Sequence, residues 1–157
     1  MAATANATNA TAQHELVITR IFDAPRALVF RAWSMPEHMV RWLGPKNWTA
    51  PSCTMDFRPG GAYRACIRSP EGKENWMRGI YREIVEPERL MFTFSWEDKE
   101  GEFGRENLVT ITFAEQGGKT RMTFRQAFFE TIENRDAHHG GWSECFDRLE
   151  QHLAGER

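Results

Sequence analysis

The sequence predicts an α+β fold in which a curved antiparallel sheet of six to seven strands wraps around a long C-terminal helix, with two short helices after the first strand. Three observations carry this expectation. From Cys53 to Phe128 short alternating segments are broken by turn residues at regular intervals, the pattern of an antiparallel meander. The apolar period then changes from two to three or four, so that Trp142, Cys145, Phe146, Leu149 and Leu153 fall on one helical face opposite Glu144, Asp147, Arg148 and Glu150. Six or seven strands cannot leave so apolar a face to solvent, and this helix is the only long amphipathic element available to cover it.

The 157 residues fit one domain, which at that size buries roughly 70% of the surface its unfolded chain exposes. Cys53, Cys66 and Cys145 are odd in number, form no CxxC pair and follow no secretory signal. Free thiols in a reducing, cytoplasmic compartment are therefore expected. Twenty basic residues against 22 acidic ones give a formal charge of -2 and no electrostatic footprint for nucleic acid or anionic membrane. No apolar run approaches the roughly 20 residues that span a bilayer. Six Trp and eleven Phe stand against two Tyr. Such rings bury about 150–250 Å² each, and they either fill a large core or line a hollow one.

Residues 1–13, an Ala/Thr/Asn repeat without apolar periodicity, read as a disordered tail before a domain over 14–157. Asn6 and Asn9 head Asn-x-Thr sequons with no secretory route to glycosylation. Order begins with a strand over Glu15 to Phe22. Asp23 offers an N-cap and Pro25 a first-turn residue for a short helix with Leu28, Val29, Ala32 and Trp33 on its apolar face. Ser34 and Glu37 have capping-box spacing, and Pro36 opens a second short helix carrying Met39, Val40, Trp42 and Leu43 up to Gly44-Pro45. Strands follow at Cys53–Phe57, Ala62–Arg68, Asn75–Val85, Arg89–Trp96, Asn107–Glu115 and Lys119–Phe128. They are punctuated by Pro59-Gly60-Gly61, Pro70-Glu71-Gly72, Glu86-Pro87-Glu88, a charged loop around Lys99–Gly104, and Gln116-Gly117-Gly118. Asn134 or Asp136 caps the last helix and Gly155 ends it.

Strand parity then assigns faces, because a one-residue slip moves every side chain to the other side. The inward sets are Leu90, Phe92, Phe94 and Trp96; Val109, Ile111 and Phe113; Met122, Phe124, Gln126 and Phe128; Tyr63, Ala65 and Ile67; and Met77, Gly79 and Tyr81. Gln126 is an inward amide that needs partners, and Tyr63 and Tyr81 bring hydroxyls to an apolar surface.

Several segments resemble a known family. Pro59-Gly60-Gly61-Ala62-Tyr63-Arg64, the run from Gly79 to Leu90, Thr120-Arg121-Met122-Thr123, and Gly141-Trp142 with Leu149 are similar to bacterial homologues of the activator of the heat-shock protein 90 ATPase. That family belongs to the START-like, birch-pollen-allergen-like superfamily (SRPBCC), and the likeness runs from about Leu16 to Leu153. The resemblance implies a helix-grip fold and an elongated hydrophobic cavity between the long helix and the sheet, open near the two short helices. Superfamily members bind lipids, sterols or polyketides, and some are cyclases or dehydratases. Eukaryotic co-chaperones of the family carry an additional N-terminal domain that engages the chaperone, whereas about 13 polar residues precede the first strand here.

Under that reading Phe92, Phe94, Trp96, Trp142 and Phe146 line a cavity, Trp42 guards its entrance, and Tyr63, Tyr81 and Gln126 orient a polar group of a small hydrophobic or aromatic ligand. A filled aromatic core is the alternative. An enzyme of cyclase, dehydratase or hydrolase type using Tyr81, Glu83 or His139 is a second expectation, and a co-chaperone-like interaction module a third. Glu83 follows Tyr81 by two residues and so reaches toward the inner face, though pairing with Arg89 is the plainer role. His138-His139, with Asp136 and Cys145, has metal-binding residue types, but adjacent histidines on a helix point about 100° apart and no metal site is expected. Cys145 on the apolar face is a packed, inert thiol. No GxSxG, P-loop or GxGxxG is present, and no cofactor is implied. A monomer or homodimer is expected.

Overall fold

The computed structural model describes residues 14–98, 102 and 104–156. The expected tail, the sequons at Asn6 and Asn9, and most of the charged loop around Lys99 lie outside the described residues. In chain order the elements are β1 (Leu16–Phe22), α1 (Arg26–Ser34), α2 (Pro36–Trp42), β2 (Thr49–Met55), β3 (Ala62–Arg68), β4 (Glu74–Val85), β5 (Arg89–Trp96), β6 (Asn107–Gln116), β7 (Lys119–Ala127) and α3 (Ile132–Glu156). The strands form one curled antiparallel sheet in the order β1-β7-β6-β5-β4-β3-β2, and the long C-terminal helix lies in its grip. β1 thus pairs with β7, so the first and last strands meet beside α3.

Local chemistry explains where the elements start and stop. Pro25, in extended conformation, precedes α1, and no side chain caps that helix, so Asp23 does not take the capping role expected of it. The Ser34–Glu37 capping box does not form either. Ser34 closes α1, its hydroxyl donating to the Arg31 carbonyl, and Met35 is the N-cap of α2. Pro36 forces this, because a residue before proline is driven from the helical to the extended region. α3 begins two residues before the earlier of its expected caps, with Thr131 Oγ1 accepting the Asn134 N–H at 3.0 Å. Gly155 lies within the helix rather than ending it.

β2 starts at Thr49 instead of Cys53 and ends at Met55. Pro51 interrupts the alternation there, and it is tolerated because β2 is an edge strand whose pairing shifts between Thr49 and Ser52. The β6–β7 hairpin turns on Gly117 and Gly118 at φ 59° and 81°, the left-handed region that a two-residue turn demands and that glycine enters freely.

The inward sets are buried as parity assigns them: Leu90, Phe92 and Phe94 on β5, Val109, Ile111 and Phe113 on β6, Met122, Phe124 and Gln126 on β7. They face Trp142, Cys145, Phe146, Leu149 and Leu153 of α3, which are buried too. Phe128 is the exception. Its φ of 76° breaks the alternation, leaving it 45% exposed while Phe129 takes the buried place.

Gly79 marks the tightest point of the sheet. A Cβ there would sit 1.8 Å from the Thr93 carbonyl oxygen and 2.7 Å from the Tyr63 ring. The space is taken by Tyr63, which crosses its cross-strand partner Gly79 so that its hydroxyl donates to Thr93 O at 2.7 Å. The Ile80 N–H meanwhile donates to Thr93 Oγ1 at 2.8 Å.

Candidate functional site

The middle of the gripped space is occupied by one residue from α1. The Trp33 ring lies 4.7 Å from that of Trp42, 6.0 Å from Trp142, 6.1 Å from Phe146, 6.2 Å from Phe124 and 6.4 Å from Phe92. These are the spacings of packed aromatic pairs, and they fill the interior. Beyond Trp33 lies a void of about 20 Å³, bordered by Cys53, Met55, Tyr63, Tyr81 and Phe92. The elongated cavity implied by the resemblance is thus plugged at its centre. The Trp33 indole N–H is buried without a hydrogen-bond partner among the described residues.

Open volume lies instead at one end of the grip, where an apolar cleft of about 360 Å³ separates the first half of α3 from the sheet. Its helix wall is His138, Gly141, Trp142 and Cys145, spaced three or four residues apart as one helical face requires. Ile67, Met77, Phe94 and Trp96 form the sheet wall, and Leu43 to Pro45 with Trp48 form the rim. Gly141 leaves the cleft wide: a Cβ there would meet only Pro45, at 4.0 Å.

The rim is tied to α3 by polar contacts. Arg148 donates to the carbonyls of Leu43 at 3.1 Å and Gly44 at 2.8 Å, the Gly44 N–H reaches Cys145 Sγ at 3.3 Å, and the Lys46 N–H reaches Glu144 Oε1 at 2.9 Å. Burial pushes the Cys145 thiol up to about 12, so it stays protonated and packs rather than reacts. Cys53 is likewise raised, to about 11, by burial.

The cleft's polar feature is His138. Its Nε2 lies 2.9 Å from Trp96 Nε1 and its Nδ1 lies 2.8 Å from the Asn134 carbonyl. An indole N–H only donates and a carbonyl only accepts, so both bonds together require the neutral tautomer protonated on Nδ1. Burial holds the imidazole below the usual histidine range, partly countered by the Asn134 bond.

The expected site residues divide into three places. Phe94, Trp96 and Trp142 line the cleft. Tyr63, Tyr81 and Phe92 border the small void behind Trp33, with both tyrosine hydroxyls raised in pKa chiefly by burial. Trp42, Gln126 and Phe146 are fully buried in the core. Trp42 is no gate: its indole N–H donates to the Ala32 carbonyl at 3.1 Å, and Trp48 stands at the rim instead. Gln126 has its partners inside the protein, donating to Asn107 Oδ1 at 3.1 Å and accepting the Trp142 N–H at 2.8 Å.

Tyr81, Glu83 and His139 do not converge. A register shift between Tyr81 and Glu83 pairs Glu83 with Met91, turning its carboxylate away from Tyr81's face and onto Arg89. His139 is exposed, and it is His138, one turn before Trp142, that reaches the cleft. The i, i+4 spacing to Trp142 is the sequence signal that identifies His138, as the same spacing to Cys145 identifies Gly141.

The family described as Activator of Hsp90 ATPase homolog 1-like protein matches the chain over residues 23–154. No curated protein matches. Among solved structures, protein NE0264 of Nitrosomonas europaea is 28% identical with a TM-score of 0.78, over 92% of this chain and 97% of that one. A protein of Rhizobium leguminosarum is 30% identical with a TM-score of 0.75, over 89% and 93%. The AHSA1 protein of Silicibacter pomeroyi shares the fold at 23% identity and a TM-score of 0.80, over 91% and 99%. With the match running from before α1 almost to the end of α3, the chain belongs to the Activator of Hsp90 ATPase homolog 1-like family.

Proposed function

We propose that this protein binds a small hydrophobic or aromatic molecule in the cleft between α3 and the ends of β3, β4 and β5. The observation that carries the reading is an open apolar volume of about 360 Å³, within the roughly 300–1,000 Å³ usual for ligand sites, with few polar groups at its edge. Phe94 and Trp142 supply contact area, while Asn75 supplies polarity. Trp33 confines the ligand to this end of the grip, so the site suits a compact ring system better than a long acyl chain. Three free cysteines, with Cys66 and Cys145 buried, fit action in the cytoplasm.

Gly141→Leu tests the site without removing a packed residue, because it adds bulk to the cleft and replaces a helix-interior glycine, which costs about 1 kcal/mol relative to alanine. Native mass spectrometry of the protein as expressed, and titration with 1-anilinonaphthalene-8-sulfonate, are expected to show a retained or bound apolar molecule that Gly141→Leu excludes. Equal binding by a folded Gly141→Leu protein removes the cleft as the site.

The family description favours a second reading, interaction with an Hsp90-type chaperone. A purified chaperone whose ATPase rate does not respond to this protein eliminates it.

A further inference from the structure

Away from the cleft, at the other end of α3, three potential metal ligands converge from two helices. His38 lies on α2, and His152 and Glu156 are four residues apart on the last turns of α3, the spacing that puts two side chains on one face. His38 Nδ1 is 2.9 Å from His152 Nε2, 3.9 Å from Glu156 Oε1, and His152 Nε2 is 3.8 Å from that same oxygen. A point equidistant from the corners of a triangle with those sides lies about 2.1 Å from each, and zinc bonds imidazole nitrogen and carboxylate oxygen at about 2.0–2.2 Å. We propose that His38, His152 and Glu156 form a binding site for a borderline divalent cation, of which Zn²⁺ is the natural occupant by ligand type.

Two imidazoles and one carboxylate suit zinc, nickel or copper better than calcium or magnesium, which take all-oxygen shells. The His38 and His152 side chains are 18% and 9% exposed, so packing fixes both rings, while Glu156 at 37% leaves the ion open to solvent. Three protein ligands leave the remaining position to water, the ligand count of an open zinc site. Arg41, exposed on α2, sets a like positive charge near His152, and it lowers affinity relative to a closed structural site. The ion clips α2 onto the end of α3.

The test is isothermal titration of untagged full-length protein with Zn²⁺, with Co²⁺ absorption as a second readout. One ion per chain is expected, with a visible Co²⁺ band typical of low coordination number. Losing a direct ligand exceeds the about 10–100-fold cost of losing a second-sphere partner, so His38→Ala and His152→Asn are expected to weaken binding at least about 100-fold. Glu156→Gln, at an exposed helix end and therefore safe for folding, is expected to weaken it at least tenfold. His139→Gln, at an exposed histidine outside both sites, is expected to bind as the parent does. No saturable binding, or binding that Glu156→Gln and His152→Asn leave unchanged, overturns the site.

Discussion

The Trp96 indole N–H donates to Nε2 of His138 across 2.9 Å, linking the last residue of β5 to the first half of α3 at the edge of the cleft. Protonation of His138 removes that acceptor and sets a charge against an apolar wall. The imidazole's proton affinity is already lowered by burial, so the folded protein resists this protonation more than the unfolded chain does.

The direction of the pH dependence follows. Because the folded-state pKa is depressed below the unfolded value near 6.5, the unfolded chain binds more protons between the two, and stability rises with pH there. The contribution of neutral His138 is fully present above about pH 6.5 and is lost as pH falls through the depressed folded value. His138→Gln keeps an acceptor for Trp96 without the titration. Thermal unfolding between about pH 7.5 and 5 is expected to show a steeper loss of Tm in the parent than in His138→Gln, and parallel curves contradict this account.

How much of this was legible in the sequence depends on how local each determinant is. The faces of β5, β6 and β7 follow from alternation alone, because a period of two leaves one choice once Phe92 and Phe94 are inside. The bulge that turns Glu83 outward and the positive φ that exposes Phe128 are local departures from that period, and neither residue type announces them. The position of Trp33 is a tertiary fact. Nothing in α1's own pattern distinguishes a ring at the periphery of the core from one wedged between Trp42, Phe124 and Trp142. His38 and His152 are 114 residues apart, and only the packing of α2 on α3 brings them together.

Gln126 holds the centre of a buried polar chain. Trp142 donates to it, it donates to Asn107, and the Asn107 amide donates to the Phe128 carbonyl at 3.0 Å. That chain anchors α3 to the ends of β6 and β7. Gln126→Leu matches the volume but strands the Trp142 N–H and the Asn107 oxygen, each costing about 1–3 kcal/mol when buried unpaired. Urea unfolding is expected to show a loss of about 2–4 kcal/mol. Trp142→Phe removes one stranded donor, so the double variant is expected to lose less than the sum of the singles, by about 0.5–3 kcal/mol. Strict additivity argues against the network.

Trp33 fills the interior at the cost of a buried indole N–H without a partner among the described residues. The two features are separable by substitution. Trp33→Phe keeps most of the apolar bulk and removes the unpaired donor, so the cavity cost is offset by about 1–3 kcal/mol of relieved desolvation. Trp33→Ala removes the same donor but leaves a far larger cavity, and large-to-small changes of this kind cost about 3–5 kcal/mol. The space it vacates adjoins the void beside Tyr63 and Tyr81 and is walled by Phe92, Phe124 and Phe146. An apolar cavity of that kind stays dry and accepts an aromatic guest. Added indole is therefore expected to raise the Tm of Trp33→Ala more than that of Trp33→Phe, any binding in the cleft being common to both. If indole stabilises both equally, it binds in the cleft beside Trp142 rather than in the vacated space, and the role assigned to Trp33 as the plug of the grip is wrong.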